Sequence, residues 1–108
     1  MSEARLTENQ RIVFSQVSEK QLQESVRQCA IRNGWKFFHP FWMQRSDPGW
    51  PDCVMIRGAR LVVAELKTMT GKVTPAQQEW LDAWRATGAA EVYVLRPCDL
   101  DAIQKTLL

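Results

Sequence analysis

The sequence predicts a single α/β domain, a mixed β-sheet flanked by helices in the order α-β-β-β-α-β-α, and three observations carry that reading. Apolar residues recur at helical spacing in two stretches and again near the end of the chain, while short runs rich in β-branched and aromatic residues lie between them. At 108 residues and 45% hydrophobic, the chain can bury one core but not two independent ones. No internal repeat or low-complexity stretch interrupts the pattern.

Residues 1–17 show no clear period, yet Ile12, Val13, Phe14 and Val17 are too apolar for a purely solvated tail. They are expected to form an N-terminal arm that packs on the domain or on a second subunit, with the domain proper covering residues 18–108. From Ser18 the pattern changes. Ser18 and Gln21 have the spacing of a capping box, Leu22, Val26, Cys29 and Ala30 recur at helical intervals, and Gly34 supplies a stop, which predicts a helix over about 19–33. Trp35 to His39 is aromatic-rich and ends at Pro40, so it reads as a strand entering a loop that runs to Pro51. Asp52 to Ile56 and Arg60 to Lys67 are two β-rich runs joined through Arg57, Gly58 and Ala59, the simplest reading of which is a hairpin. Thr74, Pro75 and Gln77 then combine a capping threonine, a proline at the first helical position and a glutamine at the third. Gln77, Trp80, Leu81 and Trp84 make one stripe of that helix, which is expected to face the core and to stop at Gly88. Glu91 to Leu95 is a further strand, and Asp99 is placed to cap a last helix carrying Leu100, Ile103 and Leu107.

The 14 basic and 12 acidic residues leave a formal charge of only +2, far from the balance of a protein that coats nucleic acid electrostatically. Any anionic partner must therefore meet positive charge that is concentrated locally. Cys29, Cys53 and Cys98 are far apart, form no C-x-x-C pair and, with His39 the only histidine, lack zinc-site spacing, so each reads as a small apolar residue. No apolar run reaches membrane-spanning length, and the start Met1-Ser2-Glu3-Ala4-Arg5 lacks a signal-peptide core. A reducing cytoplasmic setting with no membrane partner is the expectation.

The candidate chemistry lies in the hairpin. If it turns on Gly58 and Ala59, Arg57 faces Arg60, Ile56 faces Leu61 and, by extension, Asp52 faces Glu65. Opposed carboxylates on one face stand about 5 Å apart between Cβ atoms and destabilise the sheet unless a cation or a shared proton compensates. A hard divalent cation with oxygen ligands resolves the conflict. Side chains alternate along a strand, so Lys67 shares the face of Glu65. In phosphodiester hydrolysis all three residues then have a role. Asp52 and Glu65 hold a cation that polarises a phosphoryl oxygen and acidifies bound water, and Lys67 orients that water or neutralises developing charge. Taken singly the pieces are weak, because Glu-x-Lys usually marks the exposed end of an edge strand and Pro-Asp is ordinary turn chemistry.

Together, Pro51-Asp52 opening one strand and Glu65-Leu66-Lys67 closing the next resemble the PD-(D/E)xK nuclease superfamily. More specifically the chain is similar to virus-type replication-repair nuclease (VRR-NUC) domains over residues 18–108, through Ser18-Glu19 with Leu22-Gln23, Gly49-Trp50-Pro51-Asp52, Glu65-Leu66-Lys67, and Gln77 before Trp80-Leu81. The resemblance implies a PD-(D/E)xK-type sheet and a DNA endonuclease dependent on Mg²⁺ or Mn²⁺, with Asp52, Glu65, Lys67 and Gln77 in the catalytic set. It adds the peptide carbonyl of Leu66 to Asp52 and Glu65 as a metal ligand. A viral or phage member would act in replication and repair in the cytoplasm of a bacterial host.

Geometry narrows two choices. Glu19 lies three residues before Leu22 and seven before Val26, on the stripe expected to face the sheet, whereas Glu24 points away. Glu19 is accordingly the candidate helix-borne metal carboxylate, beside the plainer role of satisfying a helix N-terminus. Gln77 shares a face with Trp80 and Leu81 while Gln78 turns outward, so Gln77 is placed to contact water, Lys67 or a phosphate, to complete a capping box, or to do both. Lys72, in the loop after Lys67, and His39, Arg45 and Ser46, before the Gly49-Trp50-Pro51-Asp52 segment, are candidate DNA contacts, although a solvated loop lysine and a structural histidine are the commoner cases. Of the five tryptophans, Trp80 and Trp84 are assigned to the core, leaving Trp42 and Trp50 in loops where a base could stack. A domain with one apparent active site needs two copies to cut two strands in concert, so a homodimer acting on branched DNA such as a four-way (Holliday) junction is expected. The competing readings are a DNA-binding module of the same fold without turnover and a plain α/β interaction domain, which leaves the opposed carboxylates unexplained.

Overall fold

The computed structural model describes residues 5–40 and 48–108. Helix starts are set by three capping boxes, in which the hydroxyls of Thr7, Ser18 and Thr74 accept a backbone N–H while the side chains of Gln10, Gln21 and Gln77 bond back to the cap's own N–H. Each box pairs two N–H groups that a first helical turn otherwise leaves open, worth about 1 kcal/mol. They open α1 (Glu8–Ser15), α2 (Glu19–Arg32) and α3 (Pro75–Ala86). Helix α1 falls within the stretch where the sequence shows no period, and it buries none of its residues, so no apolar stripe announces it.

The strands β1 (Lys36–Phe38), β2 (Cys53–Arg57), β3 (Arg60–Leu66) and β4 (Glu91–Leu95) form one sheet in that spatial order. The first two junctions are antiparallel; β3 and β4 run parallel, with α3 as the crossover that a parallel pair requires. The β2–β3 turn uses Gly58 at a positive φ of 58° followed by Ala59, and the register follows: Arg57 opposes Arg60, Ile56 opposes Leu61 and Cys53 opposes Ala64.

Alternation along β2 and β3 gives the sheet two different faces. Cys53, Met55, Val62, Ala64 and Leu66 pack with Leu22, Val26, Cys29 and Ala30 of α2 and with Ile103 and Leu107 in and after α4 (Leu100–Thr106), forming the main core. Glu65, between Ala64 and Leu66, points to the other side, where it meets α3, and Leu81 of that helix is fully buried. A 3-10 turn, Pro97–Asp99, precedes α4 and changes the expected role of Asp99. Its side chain makes no cap bond to α4; one carboxylate oxygen accepts the backbone N–H of Arg96 instead, 2.8 Å away, because the tight turn folds the carboxyl backward.

The turn end of the hairpin is anchored to the end of α4. Arg57 and Arg60 both stack on the Trp35 ring, at 4.7 and 4.9 Å from its centroid. Arg57 donates to the carbonyls of Asn33 and Leu107, Arg60 donates to that of Thr106 and pairs with Glu91, and the Trp35 indole donates to Leu107. Two directly opposed cations are tolerated here because helix-end carbonyls and an aromatic face receive them. With that end fixed, the opposite end of β2 and β3 presents Asp52, Glu65 and Lys67.

Candidate active site

Asp52 stands just before β2, and its carboxylate ends the β2–β3 ladder by accepting the N–H of Leu66 at 2.7 Å. This bond fixes the side of β3 that faces Asp52. The C=O of a strand residue points to the same side as its N–H, so the Leu66 carbonyl is turned toward Asp52 as well. Continuing the register places Pro51 opposite Leu66, and proline has no N–H with which to engage that carbonyl. The proline before the aspartate thus leaves a backbone oxygen at the mouth of the carboxylate pair.

Glu65 is only 2% exposed. Its Oε1 accepts the Gln77 side-chain N–H at 3.0 Å and lies 3.8 Å from the Lys67 Nζ, while Oε2 is buried with no hydrogen-bond partner among the described residues. Burial chiefly, then Asp52, as a hydrogen-bond partner only once one of the two carboxyls is protonated and as a negative charge, push the Glu65 carboxyl up to about 9, against a weaker pull downward from Lys67. A bond between two carboxyls needs a proton on one of them, so when both are ionised Oε2 is an uncompensated acceptor beside a second anion. Two oxygen-bearing anions, an orphaned buried oxygen and an adjacent peptide carbonyl form the donor set that a hard divalent cation takes, and the residues fit such an ion. The neighbouring thiol of Cys53 is no competitor: burial, reinforced by Asp52 and Glu65, raises it far above the usual thiol range.

Gln77 completes the capping box and makes a second contact that the sequence reading did not name. Its Oε1 accepts the N–H of Thr74 in the α3 capping box, and its amide N–H donates to Glu65. Its contact in the site is therefore the glutamate, not Lys67. Lys67 is 8% exposed and shares the Glu65 face as strand alternation requires. Glu19 corrects the expectation of a buried position: it is exposed, as the first residue of α2, three residues before the buried stripe begins at Leu22. Its charge still raises the Glu65 carboxyl, as the smallest contribution, and no three His, Cys, Asp or Glu side chains converge on a common ion position among the described residues.

His39 is turned inward, its Nδ1 lying 2.7 Å from the backbone carbonyl of Asp52, so it donates from that nitrogen and holds the aspartate's peptide. Lys72 is exposed in the loop before α3. Arg45 and Ser46, and Trp42 with them, lie outside the described residues. The tryptophans correct a second expectation, since Trp80 and Trp84 are only half-buried and Trp50 meets both edge-on, with centroids 4.9 and 5.9 Å away. Trp50 is thereby committed to packing the site's loop on α3.

Sequence reasoning gave no physical role to Gly49. It has a φ of +87°, and a Cβ there would fall 2.4 Å from the Ala76 carbonyl carbon and oxygen and 2.7 Å from the Gln77 nitrogen. Only glycine lets the segment bearing Asp52 lie directly on the start of α3, where Gln77 reaches Glu65. A glycine shortly before Pro-Asp was the available signal. His39 gave none, because its partner is a backbone atom.

No family model and no curated protein sequence matches the chain. Among solved structures, one titled "VRR_NUC domain" is similar, with a TM-score of 0.65 over 82% of this chain and 97% of its own length at 22% identity. At that identity the likeness is one of fold, and the site must be argued from its own residues. The chain has the mixed α/β fold of a VRR-NUC nuclease domain, with its carboxylate pair at the end of the central hairpin.

Proposed function

We propose that this chain is a divalent-metal-dependent DNA endonuclease that hydrolyses phosphodiester bonds. The observation that carries the reading is Glu65, buried against Asp52 with one oxygen unpartnered and Lys67 at 3.8 Å from the other. A merely structural pair at this place destabilises the sheet for no return. Asp52, Glu65, the carbonyl of Leu66 and the helix-borne Glu19 would hold the ion. When bound, Mg²⁺ or Mn²⁺ supplies a Lewis acid for the phosphoryl oxygen and lowers the pKa of water. Gln77 holds Glu65 Oε1 in place and thereby decides which lone pairs stay open toward the site. His39 does the same for the peptide of Asp52. Lys67 keeps an ammonium beside Glu65, placed to orient the attacking water and offset charge on the phosphate. Glu65 must lose its proton before it can act as a ligand. Lys72, exposed on the following loop, contacts the DNA backbone, with Arg45 and Ser46 as further contacts.

The substrate we propose is branched DNA such as a four-way junction, cut by a homodimer in the cytoplasm, in viral or phage replication and repair. No helix among the described residues is long and apolar enough to cross a membrane. Support for self-association comes from α1 in the 1–17 arm, whose Ile12 and Val13 are 51% and 60% exposed on a well-capped helix.

The test is cleavage of duplex, single-stranded, flap and four-way DNA with Mg²⁺ and with Mn²⁺, beside the variants Asp52→Ala and Glu65→Ala. We expect cutting by the wild type and none by either variant, with folds intact by circular dichroism. Wild-type DNA binding without cleavage under any metal would replace the enzyme with a binding module. Equal rates on linear and four-way DNA would remove branch selectivity, and a monomer mass in sedimentation would remove the dimer.

A further inference from the structure

We infer that Arg96 is a positioning residue for Lys67, acting through the turn that follows β3; the mechanistic half of this inference rests on the nuclease reading. Arg96 lies directly after β4, and its guanidinium donates to two carbonyls of that turn, Thr68 at 2.6 Å and Gly71 at 2.7 Å. A charged donor shared between two backbone oxygens is a strong clamp, worth more than a neutral hydrogen bond at either. The base of the clamp is itself fixed: the Arg96 N–H donates to the carboxylate of Asp99, a side chain that is 6% exposed, and the Asp99 N–H returns a bond to the Arg96 carbonyl.

The turn closes over the lysine. Gly71 donates its N–H to the Thr68 hydroxyl at 3.0 Å, and a Cβ at Gly71 would lie only 3.1 Å from that oxygen and 3.5 Å from Cδ of Lys67. The glycine backbone therefore lies along the methylene stem of Lys67, whose own N–H is tied to the Leu95 carbonyl on β4. The backbone of Lys67 is thus fixed to β4 and its stem is bounded by the turn, with the ammonium 3.8 Å from Glu65 Oε1. A free lysine side chain has four rotatable bonds and large rotamer entropy, so a fixed ammonium needs a wall of this kind. Arg96 supplies what holds the wall.

The first readout needs no DNA and no metal. In wild-type protein treated with acetic anhydride and mapped by mass spectrometry, Lys67 should label far more slowly than Lys72. Arg96→Ala should raise Lys67 labelling severalfold with Lys72 unchanged, and Arg96→Lys, which restores one cationic donor, should recover part of the protection. Thr68→Val breaks the turn from its own side without touching β4, so it serves if Arg96→Ala fails to fold, and it should expose Lys67 likewise. In cleavage, Arg96→Ala should lower kcat by about a hundredfold, the scale for small displacements of a reacting group, while KM for DNA stays near wild type. Unchanged Lys67 labelling in both the Thr68→Val variant and a folded Arg96 variant overturns the inference. A wild type that cuts no DNA overturns the nuclease reading alone, since the labelling result stands without it.

Discussion

Replacing Glu65 by glutamine removes one titration and almost no volume, which isolates the electrostatic cost of the site. In the folded chain the carboxyl is raised to about 9 from an ordinary value of 4.5, chiefly by burial and then by Asp52. The folded state therefore retains a proton that the unfolded chain releases. The stabilising effect of that proton is complete below the unfolded pKa and is lost progressively as pH rises toward the folded one. Over that window the loss is about 1.4 kcal/mol per pH unit for a full proton difference. Between pH 5 and 7, two units of that window, about 2–3 kcal/mol is the expected loss. Glu65→Gln does not titrate and should not share it; the relative Tm of variant and wild type should move by roughly 10 °C across that interval. The assay is thermal unfolding of both proteins, stripped with a chelator, at half-unit steps from pH 5 to 8. Adding Mn²⁺ at pH 8 should raise the wild-type Tm and leave that of the variant unchanged, because the ion takes the place of the proton. Parallel pH profiles for the two proteins would refute the reasoning, since they would mean that Glu65 ionises alike in both states.

Three further outcomes are expected. Lys67→Ala should bind Mn²⁺ as the wild type does, by calorimetry, but lose DNA cleavage, since an ammonium is no metal ligand; cleavage at the wild-type rate would remove the lysine from the mechanism. Gly49→Ala should cost about 2–5 kcal/mol in denaturant unfolding, combining a left-handed backbone with contacts of 2.4 Å to Ala76, and a cost below about 0.5 kcal/mol would show that the loop does not rest on α3 as described. Gln77→Met should lose about 1 kcal/mol of helix-cap stability and slow cleavage as well; a loss confined to stability would reduce Gln77 to a cap.

How much of the molecule was legible depended on whether its signal was local. The α2 and α3 starts were readable because a capping box is a contact between residues three apart, and Ser18 with Gln21 and Thr74 with Gln77 need nothing else in the chain. The hairpin register was readable because Gly58 permits a two-residue turn, and the turn then dictates every pairing down to Cys53 and Ala64. Asp52 and Glu65 followed by extension, and Lys67 by strand alternation. Helix α1 has an equally good box at Thr7 and Gln10, but with no side chain buried its apolar pattern gave no support. Asp99 misled for the opposite reason: a suitable capping residue stood at the right place, and a 3-10 turn claimed its carboxylate first.

By itself, then, the sequence determined the starts of α2 and α3 and the central strand pairing, and it pointed to the carboxylate pair, all of which rest on the chain's own periodicity and on neighbours within a few residues. Tertiary structure alone decided what that pair experiences. The unpartnered oxygen of Glu65, the Gln77 amide on its other oxygen, the His39 bond to the Asp52 carbonyl and the Arg96 clamp join elements distant in sequence. Tertiary structure also decided that Glu19 is exposed at the first position of α2, and that Trp50 packs edge-on against both Trp80 and Trp84. The physical reason is that a periodic pattern reports which face of an element is apolar, whereas the pKa and reach of a polar group depend on the depth of burial and the donors around it, and these are set only when separate elements meet.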